Sequence, residues 1–354
     1  MNVAIGHLDQ SEGAPASPFL AADVGGTHTR IAMMRASHDE DRKVETLAYR
    51  KFACTDFPGL AELLQAFVDA DVRIPVRHCV LACAGQVVGD EVVNDNLAWP
   101  IHLQQLRQAL ALDDIAILND FEALGYALDG PLAHSGRHLC GPDTHTKGPT
   151  LVIGPGTGLG AAVHVPGSAG GFVLTTEAGQ MDYAPNSIRE REILAHLAPH
   201  GGYVEFERIV SGPGLLTVYV TLCALHGETP KLATPEAVTA AAAACSDMHA
   251  VEAVDVFCAS LGSLAGNLAM AFMATGGVYL AGGFLSSLFE LLKCSAFEER
   301  FLHGRSAREV LSHVPVWVTE HGCHGVQGAA RWYLRHGMSD TGALRQAAVG
   351  GVGT

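Results

Sequence analysis

The chain has 354 residues, of which 48% are hydrophobic and 17% charged, and its formal net charge is −15. This length exceeds what a single hydrophobic core usually supports, so two domains are expected, and the apolar content excludes a largely disordered protein. The acidic balance argues against nucleic acid as a partner, because such binding depends on basic patches that neutralise phosphates.

The cysteines and the N-terminus bear on the compartment. Nine cysteines, an odd number without a C-x-x-C pair, argue against a disulfide framework or a zinc ribbon and favour a reducing environment. Residues 1–17 contain Asp9 and Glu12 and no apolar segment, so they are expected to form a flexible tail and not a signal peptide. A cytoplasmic protein is therefore predicted.

The first predicted element is an apolar strand that starts at Phe19, ends in Asp23 and turns on Gly25 and Gly26 before Thr27. Glycine reaches positive φ without a Cβ clash, so the turn is expected to use that region and to present backbone amides and the Thr27 hydroxyl to an anion. Asp23 is expected to face the accompanying metal ion. The pattern predicts half of a nucleotide-phosphate site.

Strands and helices then alternate. The returning strand Arg30–Met34 is followed by a helix at Pro58–Phe67, strands at Cys79–Cys83 and Ile115–Leu118, and a helix at Phe121–Leu128. The helix at Pro58–Phe67 is indicated by apolar residues at helical spacing, and the strands are short apolar runs bounded by turn residues. Such alternation indicates an α/β fold.

Two polar residues, Asn119 and Asp120, follow the strand Ile115–Leu118. Strand ends are where α/β proteins place ligand chemistry. Asp120 could cap the following helix, or it could accept a hydroxyl proton while Asn119 orients the alcohol. The residues by themselves leave both roles open.

A second glycine loop lies within Leu151–Gly160, where an apolar strand leads into Gly156, Thr157 and Gly158. Residues 131–149 before it are rich in Gly, Pro, His and Thr and are predicted to connect two domains. Neither glycine loop is a Walker loop, since no Gly-Lys-Ser/Thr follows. Two such loops suggest that two halves of the chain hold one nucleotide.

Two further glycine-containing segments carry the acids Glu177 and Glu207. Both could simply be solvated. A polyol, however, needs several carboxylate and amide partners held on separate loops, so these acids also suit sugar recognition.

The uncharged stretch Val256–Phe289 is long enough to span a membrane. Two glycine pairs divide it, however, into a predicted buried helix up to Ala274, a turn, and the core strand Val278–Ala281. Membrane association is therefore not expected.

Taken together, these segments resemble the bacterial glucokinase family, within the hexokinase, actin and Hsp70 superfamily of ATP-dependent proteins. The resemblance covers nearly the whole chain. The matching segments, in family order, are Asp23-Val-Gly-Gly-Thr-x-x-Arg30, Asn96-Leu-Ala-Trp99, Leu118-Asn-Asp-Phe121, Gly154-Pro-Gly-Thr-Gly-Leu-Gly160, Glu177-Ala-Gly-Gln-Met-Asp-Tyr-Ala-Pro185, Glu207-Arg-Ile-Val-Ser-Gly-Pro-Gly214 and Val278-Tyr-Leu-Ala-Gly-Gly283.

The resemblance implies two ribonuclease-H-like domains of the actin-like ATPase type with a cleft between them. Residues 18–130 plus 321–354 would form a small α/β domain, and residues 131–320 a large one. The implied reaction is transfer of the ATP γ-phosphoryl group, with Mg²⁺, to the 6-hydroxyl of glucose, giving glucose 6-phosphate and ADP. A cytoplasmic homodimer acting in glycolysis is also implied.

The resemblance further implies roles for individual residues, with Asp120 as the catalytic base that also touches the sugar. The other implied hexose ligands are Asn96, Asn119, Glu177, Gln180 and Glu207. The implied nucleotide-binding residues are Asp23, Gly25, Gly26, Thr27, Gly156, Thr157, Gly158, Gly282 and Gly283, with Asp23 also serving the metal ion, directly or through water.

Two positions depart from the family pattern. Gln180 stands where family members commonly have histidine, and its amide can still donate and accept hydrogen bonds. His28 stands where asparagine is frequent. Two alternatives therefore stay open, namely a catalytically weak or inactive sugar-binding regulator and a kinase for another hexose.

Overall fold

The computed structural model describes residues 17–336 apart from 37–43, 73, 95–96, 131, 133–134, 168–170, 305–306 and 321. The chain divides into two compact units, one of Met1–Gly130 with Cys323–Thr354 and the other of Pro131–Gly322. Each unit combines a mixed β-sheet with helices, so the predicted α/β class is confirmed.

The described residues form the following strands and helices, numbered in chain order. The strands are β1 (Phe19–Val24), β2 (His28–Ala36), β3 (Val44–Ala53), β4 (His78–Cys83), β5 (Gln86–Val88), β6 (Glu91–Val93), β7 (Ile101–His102), β8 (Asp114–Leu118), β9 (Arg137–Cys140), β10 (Thr150–Pro155), β11 (Leu159–Val165), β12 (Phe172–Thr176), β13 (Gly277–Ala281) and β14 (Val316–Thr319). The helices are α1 (Leu60–Phe67), α2 (Leu103–Ala109), α3 (Asp120–Ala127), α4 (Ile188–Leu197), α5 (Gly212–Leu225), α6 (Pro235–Ala243), α7 (Met248–Ala271), α8 (Gly283–Cys294), α9 (Phe297–Phe301), α10 (Ala307–Leu311) and α11 (His324–His336).

The first unit contains a five-stranded sheet in the order β3-β2-β1-β4-β8. β1 is antiparallel to β2 and parallel to β4, and β4 is parallel to β8. All six residues of β1 and all six of β4 are buried, as expected for central strands covered on both faces. Helix α11 packs on α3 and against β1 and β4, which covers one of those faces. A small antiparallel sheet of β5, β6 and β7 completes this unit.

The predicted elements of this unit are present with small shifts at their ends. In α1 the four apolar positions that suggested a helix, Leu60, Leu63, Leu64 and Phe67, are at most 3% exposed. Glycine precedes this helix and its apolar residues recur on one face, so the sequence pattern and the packing agree.

The second unit contains a six-stranded sheet in the order β12-β11-β10-β13-β14-β9. β10, β13 and β14 run parallel, while β11, β12 and β9 are antiparallel to their neighbours. Helix α7 packs against β10 and β13 and against helices α5, α6 and α9. It is 24 residues long and apolar, yet 78% of its most apolar segment is buried in the protein, as expected of a core helix.

The two sheets share one strand order. β3-β2-β1-β4-β8 in the first unit corresponds to β12-β11-β10-β13-β14 in the second. In both, a strand, a glycine loop and two strands that each run antiparallel to the one before are followed by two strands parallel to the first. Each glycine loop therefore leaves the carboxyl end of the central strand of its sheet.

Residues 131–149 are not only a connection, as expected, because they contain β9. This strand pairs antiparallel with β14 at the edge of the six-stranded sheet. Arg137 and His138 occupy half of its four positions, so the segment lacks the apolar run by which strands such as β4 and β8 were predicted. Its partner lies more than a hundred residues away along the chain, and local patterns do not report such pairing.

Candidate active site

The first glycine loop joins β1 to β2 and is held by hydrogen bonds from its neighbours. The Gly25 backbone N–H donates to the His28 carbonyl oxygen at 3.1 Å, and the N–H of Cys54, just after β3, donates to the Thr27 carbonyl oxygen at 2.9 Å. The Cys54 thiol also donates to the Gly25 carbonyl oxygen at 3.3 Å. The end of β3 therefore supports the loop, a role for Cys54 that the sequence analysis missed.

The conformation expected for this loop is wrong in one respect. Neither Gly25 nor Gly26 has a positive φ. Glycine is favoured at position 25 by close packing instead, because a Cβ there would lie 3.2 Å from the His28 carbonyl oxygen. The loop is tight because hydrogen bonds close the hairpin, not because the backbone enters the left-handed region.

Asp23 lies near the end of β1 and is only 5% exposed. Its Oδ2 is 3.7 Å from Nη1 of Arg30, the residue opposite it on β2. A Cβ at Gly325, in the first turn of α11, would lie 2.8 Å from the Asp23 Cγ. The start of α11 therefore approaches the carboxylate closely only because residue 325 is glycine, and nothing in the sequence had linked the two positions.

Cationic groups lie beside the first loop. His28 starts β2, and Arg30 faces Lys51 across the β2–β3 pair. Partial burial, together with the positive charges of Lys51 and Arg30, lowers the pKa of His28. The imidazole is therefore neutral at neutral pH, and the two cations supply a field that favours an anion at this loop.

Asn119 and Asp120 lie at the end of β8, and both are half-buried. The Asn119 side-chain oxygen accepts from the backbone N–H of Phe121 at 2.9 Å and of Glu122 at 3.2 Å. Asn119 is thus the N-cap of α3, and the capping role considered for Asp120 is wrong. Asp120 is the first residue of the helix, and its Oδ1 also lies 3.0 Å from the Phe121 nitrogen.

Asp23 and Asp120 lie at the same edge of their sheet. β1, β4 and β8 run parallel, so their carboxyl ends coincide. Cys83 ends the middle strand, and burial raises the pKa of its thiol to about 12, with the negative charges of Asp120 and Asp23 adding to the effect. Both carboxylates therefore act on one region at this edge.

The second glycine loop joins β10 to β11 and contacts the start of α5. The Gly156 N–H donates to the Gly158 carbonyl oxygen, and the Gly212 N–H donates to the Gly156 carbonyl oxygen, both at 2.8 Å. The Leu159 N–H donates to Oε2 of Glu207 at 3.3 Å. Gly156 and Thr157 are exposed at the tip.

The sugar-side residues Gln180 and Glu207 lie together. The Gln180 Nε2 donates to Oε1 of Glu207 at 2.8 Å. The two are brought opposite one another by backbone hydrogen bonds just beyond them, from Phe206 to Met181 at 2.9 Å and from Tyr183 to Val204 at 2.8 Å. These hydrogen bonds pair the segment after Gln180 with the segment before Glu207, and so bring together two residues that are 27 positions apart in the sequence.

The loop that carries Gln180 also packs on the second glycine loop. Gly179 lies so close to the Leu159 carbonyl oxygen that a Cβ would collide with it. Glu177 precedes the short 3₁₀ turn Ala178–Gln180 and is exposed. Glu207 therefore contacts the glycine loop through one carboxylate oxygen and the Gln180 amide through the other.

Gly282 and Gly283 follow β13 and start α8. Gly282 has φ 142°, a conformation that favours glycine, and its N–H donates to the Thr319 carbonyl oxygen at 3.2 Å. A Cβ at Gly282 would lie 3.5 Å from the carbonyl oxygen of Pro155, the residue before Gly156. The turn therefore lies beside the second glycine loop, and α8 starts there without a side-chain cap.

Two further predictions concern Asn96 and a metal ion. Asn96 lies outside the described residues. Among the residues that the structure describes, no three His, Cys, Asp or Glu side chains are arranged to hold a metal ion.

The chain matches the family model described as Glucokinase over residues 20–336. A "Glucokinase-like protein" of Xylella fastidiosa (strain 9a5c) is 44% identical over 323 residues, covering 91% of this chain and 96% of that protein. A "Glucokinase" of Marinobacter nauticus is 33% identical, covering 88% of this chain and 95% of that protein.

Solved structures show the same likeness. The glucokinase from an Antarctic psychrotroph is similar with a TM-score of 0.76 and 28% identity, covering 89% of this chain and 98% of that one. A ROK family glucokinase from Streptomyces griseus, solved in complex with glucose and AMPPNP, is similar in fold with a TM-score of 0.59 and 20% identity, covering 89% of this chain and 99% of that one.

Proposed function

The chain belongs to the glucokinase family and is an enzyme that phosphorylates glucose, and from that premise we propose which of its residues carry the reaction. The proposed reaction transfers the γ-phosphoryl group of ATP to the 6-hydroxyl of glucose and releases glucose 6-phosphate and ADP. The observation that carries the assignment is the common sheet edge, where Asp23 lies near the end of β1 and Asp120 follows the end of the parallel strand β8.

Asp120 is the proposed base for the 6-hydroxyl proton. Phosphoryl transfer needs little covalent assistance, so a carboxylate that orients the alcohol and takes its proton suffices. Asn119 supports this role in two ways. Its side-chain oxygen caps α3 and so fixes the first residue of that helix, and its amide N–H groups are the part of the side chain suited to hold a sugar hydroxyl.

Glu177, Gln180 and Glu207 are the proposed hexose ligands from the second unit, and Asn96 is the further one from the first. Supporting this, the Gln180 amide and the Glu207 carboxylate are already hydrogen-bonded to each other at 2.8 Å. A sugar hydroxyl that enters here meets a paired donor and acceptor and not two solvated side chains. Gln180 stands where family members commonly have histidine, so an amide replaces an imidazole in one neutral hydrogen bond to the sugar. Such a bond contributes about 0.5–1.5 kcal/mol, which is enough to alter sugar preference.

The two glycine loops and the Gly282-Gly283 turn are the proposed ATP site. Gly25, Gly26 and Thr27 offer backbone and hydroxyl groups beside the cations Arg30 and Lys51. Gly156, Thr157 and Gly158 form the second phosphate loop, and the uncapped start of α8 at Gly283 offers unsatisfied backbone N–H groups to the nucleotide. The Streptomyces griseus glucokinase of similar fold was solved in complex with AMPPNP, which supports ATP as the donor.

The donor set fits Mg²⁺. Asp23 presents a carboxylate, a hard oxygen ligand, and its burial at the sheet edge leaves it close to the first loop. Asp23 would hold the ion directly or through water, and the bound ion would offset phosphate charge.

The remaining features implied by the family stay part of the proposal. These are two domains with a cleft that holds the substrates, a homodimer, a cytoplasmic location and a place in glycolysis. Light scattering of the purified protein tests the homodimer directly. An inactive regulator is disfavoured because Asn119 and Asp120 are both present.

Asp120→Asn tests the assignment of the base. With ATP and glucose, coupled ADP release is expected to show kcat lowered by about 10²–10⁴, the usual contribution of a general base. The matched control is Asp113→Asn, an exposed aspartate before the opposite end of β8 that pairs with Arg77 at 3.3 Å. The control should keep kcat within about twofold, and near-normal turnover of Asp120→Asn would remove that residue from the mechanism. A panel of hexoses in the same assay tests the sugar.

A further inference from the structure

A buried ion pair lies close to the sugar-side segment of the second unit. Glu190, in the first turn of α4, accepts two hydrogen bonds from Arg300 of α9, from Nη1 to Oε1 at 2.6 Å and from Nη2 to Oε2 at 3.1 Å. The Glu190 side chain is 2% exposed and that of Arg300 is 11% exposed. The Arg300 Nε donates in addition to the Ser263 hydroxyl of α7 at 2.9 Å. The pair thus joins three helices.

The same carboxylate holds the chain that leads into α4. Oε2 of Glu190 accepts from the Asn186 backbone N–H at 2.6 Å. The Tyr183 hydroxyl hydrogen-bonds to the Ser260 hydroxyl of α7 at 2.9 Å, and it lies near enough to the Glu190 carboxylate to help lower the pKa of that group. Burial by itself would raise the pKa of Glu190, but hydrogen bonds from Arg300, Asn186 and Tyr183 outweigh it and lower that pKa. The carboxylate therefore stays ionised and keeps these partners.

Tyr183 connects this network to the residues proposed to bind the hexose. Its backbone N–H donates to the Val204 carbonyl oxygen, and two residues earlier the Met181 carbonyl oxygen accepts from Phe206. Gln180 and Glu207 are the next residues on these two paired segments. The position of Tyr183 thus sets the register of the pair, and the register sets whether the Gln180 amide meets the Glu207 carboxylate.

We propose that Glu190 and Arg300 are positioning residues of the hexose site, which act through Tyr183 and Asn186 to hold Gln180 opposite Glu207. The inference rests on the proposed sugar-binding role of those two side chains. Neither Glu190 nor Arg300 touches the substrate. If the pair only stabilised the unit, its loss would reduce the amount of folded enzyme and leave the KM for glucose unchanged.

Glu190→Gln is the first test, because it keeps an oxygen for the Asn186 N–H and removes the charge that Arg300 requires. Tyr183→Phe is the second, since it keeps the buried ring and removes only the hydroxyl. The matched control is Glu252→Gln, which removes in the same way the charge from the 2.5 Å ion pair between Arg189 of α4 and Glu252 of α7. Steady-state kinetics are measured with glucose and ATP varied separately.

Glu190→Gln and Tyr183→Phe are each expected to raise the KM for glucose by about threefold to tenfold, the range that corresponds to one misplaced hydrogen bond. The KM for ATP and kcat should stay within about twofold, and Glu252→Gln should change none of the three. An unchanged KM for glucose in Glu190→Gln, or an equal rise in Glu252→Gln, would overturn the inference. If Glu190→Gln does not fold, an unchanged KM for glucose in Tyr183→Phe overturns the inference instead.

Glu207→Gln separates this inference from the proposal on which it rests. A raised KM for glucose in Glu207→Gln together with an unchanged one in Glu190→Gln overturns the positioning role alone. An unchanged KM for glucose in Glu207→Gln overturns the proposed sugar site and the positioning role with it. Raised values in both variants support the whole chain of contacts from Arg300 to the hexose.

Discussion

Replacing Gly158 by alanine would disturb the contact between the second glycine loop and Glu207. The added Cβ would lie 3.0 Å from Oε2 of Glu207, so the carboxylate must move by a few tenths of an ångström. In the unaltered protein this carboxylate accepts from the Leu159 N–H at 3.3 Å and from the Gln180 amide at 2.8 Å. The movement weakens both hydrogen bonds. Position 158 does not have a positive φ, so backbone strain does not contribute.

The expected change in the KM for glucose follows from the strength of these two hydrogen bonds. Hydrogen bonds to a charged group contribute about 1.5–3 kcal/mol each, and weakening the two by about 1.4 kcal/mol in total corresponds to a tenfold change in binding. We therefore expect Gly158→Ala to raise the KM for glucose about tenfold. The measurement is steady-state ADP release with glucose varied at saturating ATP, then with ATP varied at saturating glucose.

Gly156→Ala is the matched control in the same loop. A Cβ at position 156 meets nothing within 4 Å, so it disturbs no protein group but narrows the approach to the loop amides. This variant should raise the KM for ATP by a few fold and leave that for glucose unchanged. A KM for glucose within about twofold of the original value in Gly158→Ala, or an effect of both variants on the KM for ATP alone, would show that Gly158 does not control the position of Glu207.

Two stability predictions concern the helices α3 and α11 of the first unit. Gly328→Ala should lower the midpoint of thermal unfolding, because the new Cβ collides with the Ala123 carbonyl oxygen and such overpacking costs about 1–3 kcal/mol. Helix propensity alone favours alanine by about 1 kcal/mol, so an unchanged or higher midpoint would contradict the predicted collision. Burial raises the pKa of Glu122 above its ordinary 4.5, against hydrogen bonds from Trp332 and Asn119, so its contribution to stability is full below that value and is lost as the pH rises through the folded-state pKa. Glu122→Gln should therefore gain thermal stability relative to the original protein as the pH rises from about 4 to 7, and a difference independent of pH would show that the carboxyl does not titrate in this way.

Much of the candidate site could be predicted from the sequence, because its signals are local. Glycines after an apolar strand, as at Gly25 and Gly156, mark a loop whatever the rest of the chain does. Asn119 and Asp120 follow a short apolar strand and precede a helical pattern, so their place at a strand end could be read from about ten residues. The identification of the family rested on such segments in order, and the family model confirms it.

Other features depended on where the chain brings distant residues. Asn119 caps α3 and Asp120 is its first residue, whereas the sequence had suggested Asp120 as the cap. Only the hydrogen-bond geometry distinguishes these two neighbouring positions. β9 was missed because an edge strand with charged residues has no apolar alternation and is specified by its partner, β14. The first glycine loop was expected to use positive φ, but hairpin hydrogen bonds and the close packing of Gly25 supply the constraint.

By itself the sequence determined the fold class, the central strands of both sheets, the helices α1, α3 and α7, and the positions of the two glycine loops and of the candidate carboxylates. Its information is short in range, since periodicity and turn chemistry act over a few residues. Only the tertiary structure decided that Gly325 lies against Asp23, that Gln180 donates to Glu207 and that Glu190 pairs with Arg300, 110 residues away. Such contacts depend on the path of the whole chain, and the burial that makes them strong exists only once the units have packed.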